Sequence, residues 1–455
     1  MPLVSTNPAT GRLIRRYREA SPRAVSSAPV RAHAAFLEWR RTSLPTRARL
    51  LRAAARVLRR EGDAHARLIT DEMGKPLAQA RSEIEKCASV CEHFARFGAT
   101  YLAADRPVGA PAGSFVTFQP LGVVLAVMPW NFPYWQVFRA AVPALVAGNT
   151  VLLKHASNVC GCALAIESVF RAAGLPDGAF QTLLVGSDRV PALVGHPLVR
   201  AVTLTGSTAA GQRVAALAGA ALKKCVLELG DSDPYVILAD ADLERAAAVC
   251  AQARLVNSGQ SCIAAKRFIV VEKVAAEFER RLVERMAACR TGSPLDPGVD
   301  VGPLARADLR TELHAQVQAS VRRGARRLLG GRPLPGPGWY YAPTVLAGVR
   351  PGMPACDEEL FGPVAAIVRA RDEAAALAAA NATPFGLGAA VFTRDLRHGR
   401  QLAVQDLEAG LVFVNSQVRS DPALPFGGIR QSGFGRELGS FGVREFVNAK
   451  TVLVA

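Results

Sequence analysis

Apolar residues recur at helical spacing through the first hundred positions, in stretches rich in Ala, Arg and Leu. That pattern predicts helices over about 23–40, 45–61 and 69–101. Ser21 ahead of Pro22, and Thr46, offer helix-start chemistry. From Leu121 the period changes. Short apolar runs at 121–128, 150–154, 180–185, 199–205 and 225–229 alternate with helical stretches at 133–147, 158–173, 188–194 and 208–221. Buried strands alternating with helices predict a parallel, doubly wound α/β sheet, which binds ligands beyond the C-terminal ends of its strands. A second alternating run, from about 235 to 415, predicts another α/β domain with strands at 235–238, 268–272, 365–369 and 389–393. The Gly/Pro-rich stretch 330–338 is a loop inside it. The last stretch, 442–455, reads as an apolar edge strand that needs a partner.

Composition narrows this picture. The chain has 455 residues, 50% hydrophobic and 20% charged, enough for two or three ordered domains rather than a disordered chain. No apolar run is long enough to span a bilayer, and the N-terminus carries no secretory pattern, so the expected location is the cytoplasm with no membrane partner. Lys and Arg outnumber Asp and Glu by 55 to 38, for a formal charge of +17. The excess is scattered through helical stretches, with short runs at 12–18, 40–60 and 322–332, and no nucleic-acid motif accompanies it. Attraction of small anions is the better reading, and no nucleic-acid partner is expected. Nine cysteines without metal-ligand spacing predict free thiols in a reducing compartment and no metal site.

Several residues carry candidate chemistry. Cys262 lies in a polar, Gly-containing turn, Asn257-Ser258-Gly259-Gln260-Ser261-Cys262, where a thiolate could attack a carbonyl carbon; lone cysteines are more often structural. Glu228 ends an apolar strand, either as a salt-bridged carboxylate or as a general base on water. Asn131 follows Trp130 at a strand-to-helix junction and is either a helix cap or a donor to an oxyanion. Gly206 and Ser207 join a strand to a helix whose N–H groups could hold a pyrophosphate, without the dinucleotide glycine spacing. Lys154, at a strand end, is placed for a ribose or phosphate or is simply a surface lysine.

Together these segments resemble the aldehyde dehydrogenase superfamily across nearly the whole chain. The motifs are PWNFP (129–133), LLKHAS (152–157), TLTGST (203–208), LELG (227–230), GQSC (259–262), EELFGPV (358–364) and PFGG followed by SGFGRE (425–437). The resemblance implies a Rossmann-type cofactor domain (1–107 and 120–226, rejoined by 416–440), an α/β catalytic domain (227–415) and an oligomerisation β-extension (108–119, read as a hairpin, and 441–455). It implies NAD or NADP as cofactor, an aldehyde as substrate, and a homodimer or homotetramer. By the same resemblance Cys262 is the nucleophile and Glu228 the general base. Asn131 and the Cys262 N–H form the oxyanion hole, Lys154 and Glu359 hold the riboses, and Phe361 packs beside the nicotinamide. Trp130, Gly206 and Ser207 line the cofactor groove. KHASN, ALKKCVLELG, AAKRFIV and GREL are closest to bacterial NAD(P)-dependent succinate-semialdehyde dehydrogenases, which implies oxidation of that aldehyde to its acid through a thiohemiacetal and a thioester. Arg139 would hold the distal carboxylate, with Ser420 near the substrate entrance.

Two departures qualify the resemblance. Asp231 stands where the family usually has a second Gly after LELG, and is expected to crowd the water route and raise the Glu228 pKa. Ser157 replaces the acidic residue of many NAD-selective members, so a 2′-phosphate is tolerated and dual cofactor use is expected. The competing readings are oxidation of other short aliphatic or aromatic aldehydes, a weakly active or non-catalytic protein because of Asp231, and a coenzyme-A-acylating enzyme, which Glu228 disfavours.

Overall fold

The computed structural model describes residues 3–454. The chain opens with an antiparallel ribbon, β1 (Val4–Thr6) with β2 (Leu13–Arg16). Four helices follow: α1 (Pro22–Trp39), α2 (Leu44–Arg60), α3 (Gly62–Met73) and α4 (Leu77–Tyr101). The hydroxyl of Ser21 accepts the Ala24 N–H and caps α1, whereas α2 is capped by Ser43 rather than Thr46. The single helix expected over 69–101 is two. Gly74 takes a left-handed conformation (φ 80°) and Pro76 follows, so the helical hydrogen bonding cannot run through.

A six-stranded sheet is built from β4 (Val123–Met128), β5 (Thr150–His155), β6 (Phe180–Thr182), β7 (Val199–Thr205) and β8 (Lys224–Glu228), all parallel, with helices α5 (Trp135–Ala147), α6 (Cys160–Ala172), α7 (Val190–Gly195) and α8 (Thr208–Ala220) as crossovers. Its order is β16-β8-β7-β4-β5-β6; the last member, β16 (Gly433–Phe434), returns late in the chain and runs antiparallel to β8.

A second sheet has seven strands: β9 (Pro234–Ile237), β10 (Arg267–Val271), β11 (Arg326–Leu329), β12 (Thr344–Ala347), β13 (Val364–Ala370), β14 (Gly388–Phe392) and β15 (Leu411–Val414). Their order is β11-β12-β13-β10-β9-β14-β15, parallel except for β11, and the 330–338 loop connects β11 to β12. The strands of the sheet centre are buried on both faces, as parallel strands covered by helices must be.

The segment 108–119 is not a hairpin. It supplies one strand, β3 (Ser114–Pro120), which pairs antiparallel along its full length with β17 (Val447–Leu453) of the same chain. The C-terminal strand therefore finds a partner within its own subunit, and most of its residues remain exposed.

Candidate active site

The site forms where the two large sheets face each other. β4 ends at Met128, and the chain turns through Pro129-Trp130-Asn131-Phe132-Pro133 before α5. Other elements hold this turn in place. His155 Nε2 donates to the Pro133 carbonyl at 2.8 Å, and burial pushes its pKa down to about 4, so the ring is neutral. The buried Glu83 carboxylate accepts the Tyr134 and Trp135 N–H groups, at 2.9 and 3.0 Å. Glu83, not Asn131, thus caps α5, and Asn131 is free for another task. Lys75 neutralises Glu83 and lies 3.6 Å from the centre of the Phe132 ring.

The turn leading to Cys262 is strained. Asn257, Ser258 and Gly259 take left-handed φ values of 53°, 56° and 78° in succession. Such angles are costly for residues with a Cβ and persist only where surroundings impose them. A Cβ on Gly259 would strike the Gly362 carbonyl, so glycine is required there. The turn is gripped from several directions. Arg254 Nη2 donates to the Gly259 carbonyl at 2.6 Å, Gly302 N–H donates to Ser258 Oγ at 2.9 Å, and Ala305 N–H donates to Gln260 Oε1 at 2.9 Å. Asn257 Nδ2 donates to the Asn131 carbonyl at 2.7 Å, and Asn131 Nδ2 donates to the Gln260 carbonyl at 3.2 Å, which ties the two halves of the site together. The fully buried Lys266 completes the frame. Its Nζ donates to the carbonyls of Cys262 (2.6 Å) and Ala264 (3.1 Å) and lies 3.7 Å from Glu359 and 3.8 Å from Asp233.

Cys262 is half-buried and opens on a cavity of about 700 Å³. Asn131, Trp130, Gly206, Ser207, Glu359 and Phe361 line the same cavity, so the structure brings seven of the expected residues together. Trp130 and Phe361 meet edge to face, 5.7 Å between ring centres, and the Arg306 guanidinium stands 5.8 Å from the Trp130 ring. Burial pushes the Cys262 thiol up to about 12, against the pull of Arg139 and Lys266. Glu228 sits at the end of β8, buried, with both carboxyl oxygens unpartnered within the described chain. Burial first, and the Glu437 carboxyl second, hold its pKa well above the usual carboxylate range. Burial thus favours the thiol form of Cys262 and disfavours the charged form of Glu228.

The pKa expectation for Asp231 is overturned. Its carboxylate is engaged by other groups: Oδ2 accepts the N–H groups of Leu387 and Gly388, and Oδ1 accepts the Ser432 hydroxyl. The raised pKa of Glu228 comes from burial and Glu437, not from Asp231. Arg139 also departs from expectation. It is 2% exposed and paired with Glu437, with its guanidinium 4.4 Å from the centre of the Phe426 ring, so it is not free to clasp a substrate. Ser420 is buried and its hydroxyl accepts from Lys86 at 2.6 Å.

Lys154 and Ser157 lie at and just beyond the C-terminal end of β5, outside the cavity lining. Lys154 is buried, and desolvation lowers its pKa. The residues fit a dinucleotide. The Ser207-capped N-terminus of α8 presents N–H groups at the cavity, and the half-buried Glu359 carboxylate accepts the Asp231 N–H at 3.1 Å. A side chain at Gly230 would displace Glu359.

Sequence reasoning missed Lys266, Asn257, Glu437 and Lys86. Asn257, Lys266 and Glu437 each lie in a quoted motif, and Lys266 acts on carbonyls two to five residues away; Lys86 meets Ser420 across 334 residues and carried no signal.

A doubly wound nucleotide-type sheet with a buried acid at one strand end, facing a second α/β unit whose cysteine opens on a large cavity, defines a nucleotide-dependent oxidoreductase. The chain belongs to the aldehyde dehydrogenase family, whose model matches residues 2–452. It is 48% identical over 460 residues to the NADP(+) succinate-semialdehyde dehydrogenase 1 of Mycobacterium tuberculosis (strain H37Rv), covering 100% of both chains. It is 48% identical over 449 residues to the NAD(P)+ succinate semialdehyde dehydrogenase Sad of Escherichia coli (strain K12), covering 99% of this chain and 97% of that one. Among solved structures, the succinic semialdehyde dehydrogenase of Streptococcus pyogenes in complex with NADP+ matches with a TM-score of 0.96 at 34% identity, over 99% of each chain.

Proposed function

We propose that the protein oxidises succinate semialdehyde to succinate, with NADP or NAD as hydride acceptor. The observation that carries this reading is the convergence of Cys262 and Asn131 with Glu359 and Phe361 at one cavity, in a chain nearly half identical over its whole length to enzymes named for that aldehyde. Cys262 loses its thiol proton to solvent, and the thiolate sulfur attacks the aldehyde carbon. The second Asn131 Nδ2–H and the Cys262 N–H, which makes no backbone bond among the described residues, stabilise the oxyanion of the thiohemiacetal. NAD(P)+, when bound, accepts the hydride that leaves a thioester behind. Glu228, once ionised, takes a proton from water, and the hydroxide releases the carboxylic acid and restores the thiol. Gly206, Ser207, Lys154 and Glu359 hold the dinucleotide. Ser157 offers no carboxylate to repel a 2′-phosphate, which supports the use of both cofactors.

The β3–β17 ribbon supports a homodimer or homotetramer, because an isolated two-stranded ribbon is marginal in water and gains stability when another subunit covers it. Nine free cysteines, one of them the nucleophile, support a cytoplasmic location. No helix among the described residues is long and apolar enough to cross a membrane.

The test is formation of reduced cofactor from succinate semialdehyde, with NADP and NAD separately, beside a Cys262→Ala control. Turnover in the wild type and none in the control is expected. No turnover with this substrate, but turnover with uncharged aldehydes, would move the assignment to another aldehyde.

A further inference from the structure

One side chain of the cavity wall is used neither by the frame of the site nor by the chemistry above. Gln136, the second residue of α5, lines the cavity on which Cys262 opens, yet it is only 1% exposed. Its Oε1 is buried with no hydrogen-bond partner among the described residues, and no group of those residues accepts from its Nε2. The other two amides of the wall are engaged. Asn131 Nδ2 donates to the Gln260 carbonyl at 3.2 Å, and Gln316 Nε2 donates to the Glu358 carboxylate at 2.9 Å. The cation of the wall, Arg306, is committed as well: its guanidinium donates to both oxygens of Asp308, at 3.0 and 2.8 Å.

Gln136 is also held at the Asn131 end of the cavity. The Glu83 carboxylate fixes the two residues before it through the Tyr134 and Trp135 N–H groups, and the Gln136 N–H donates to the Phe132 carbonyl at 3.1 Å. The amide therefore stands one helical turn from the residue that follows Asn131. That turn rises ~5.4 Å, comparable with the reach of a four-carbon aldehyde from its carbonyl to its far end. A buried amide without a partner is costly, and a ligand that enters the cavity can satisfy it. A neutral amide tolerates such burial where an unpaired cation would not, and its N–H still makes a charge-assisted bond to an anionic oxygen.

We infer that Gln136 is a specificity-determining residue of this enzyme: with the aldehyde carbon at Cys262, its amide nitrogen donates to the far carboxylate of an acidic aldehyde. This rests on the acidic-aldehyde reading above and gives that carboxylate a partner in the wall of the cavity, where Arg139, committed to Glu437, is not free. An uncharged aldehyde of equal length gains nothing from the donor.

The experiment compares kcat/KM for succinate semialdehyde and for butanal in the wild type, Gln136→Met and Gln136→Leu, with folding followed by thermal melting. Met keeps the length of the side chain and removes its donor and acceptor. In the wild type the acidic aldehyde is preferred. In both variants that preference falls by about tenfold or more, mainly through KM, as expected for one lost hydrogen bond to a charged group. A purely structural role would lower both substrates together and leave their ratio unchanged. Should one variant fail to fold, the other carries the test. A ratio within twofold of wild type in a folded variant overturns the Gln136 assignment and leaves the function reading standing. A wild type that does not prefer the acidic aldehyde overturns both.

Discussion

Asp231 and Gly388 meet across the interface of the two sheets: the Asp231 Oδ2 accepts the Gly388 N–H at 3.1 Å, and the Leu387 N–H at the same distance. An acid three residues beyond Glu228 thus fastens the end of one sheet to the first strand residue of its neighbour. Replacing it by glycine leaves the Leu387 and Gly388 N–H groups without their acceptor, while the Ser432 hydroxyl keeps the Gly230 carbonyl. Each hydrogen bond to a charged group is worth about 1.5–3 kcal/mol. Asp231→Gly is therefore expected to destabilise the protein by about 2–4 kcal/mol in denaturant titration and to leave kcat at or below the wild-type value. A rise in kcat would mean that the side chain does impede the reaction.

The high thiol pKa sets a pH prediction. With Cys262 raised to about 12, the thiolate is a small minority at neutral pH, and its fraction grows about tenfold per pH unit below that value. Alkylation of the cofactor-free enzyme by iodoacetamide should accelerate accordingly from neutral to alkaline pH, with Cys262→Ala giving the background rate. Steady-state turnover should rise in the same direction, because the raised pKa of Glu228 also favours its inactive, protonated form at neutral pH. A rate that is flat through neutrality would contradict this.

Lys266 is the single cation shared by the Cys262 carbonyl and the Glu359 carboxylate. Removing it should loosen both the nucleophile turn and the group expected to hold a ribose. Lys266→Met is expected to raise the cofactor KM and to lower kcat together, and to cost about 3 kcal/mol of stability through the uncompensated buried acids. Lys266→Arg should recover part of each. If only stability changed, in a variant with wild-type kinetics, the coupling would be absent.

Asn131 spends one amide contact on the Gln260 carbonyl and keeps another donor for the substrate oxygen. Asn131→Ala should reduce kcat by about 10²–10³-fold, the cost of one oxyanion donor, with a smaller change in KM. A drop of less than tenfold would place the oxyanion contact elsewhere.

Truncation before β17 tests the ribbon. With β17 gone, β3 loses its only strand partner, and the assembly measured by light scattering should become smaller. An unchanged mass would assign subunit contact to another face.

Periodicity made most strands legible, because a strand buried on both faces is a short apolar run bounded by turns. Val199–Thr205 was read to the residue. β12 and β15 escaped, each only four residues long and without flanking alternation. The split between α3 and α4 escaped because the apolar spacing continues across it, although Gly74 and Pro76 marked the break. In the site, the cavity residues came from local motifs. The roles of Asp231 and Arg139 depend on what each meets from segments far away in the chain, Leu387 and Glu437, and no local pattern encodes those meetings.

The succession of left-handed residues at Asn257, Ser258 and Gly259 has a consequence for when the enzyme becomes reactive. That turn is not one the segment would adopt alone, since Arg254, the 302–305 loop and Asn131 impose it from three stretches of chain. A nascent or partly unfolded chain lacks those grips, so its Cys262 is an ordinary thiol with no oxyanion donors aligned beside it. The aligned oxyanion donors are therefore assembled only when the domains have closed on one another, whereas the thiol of an unfolded chain ionises more readily but has no such donors beside it.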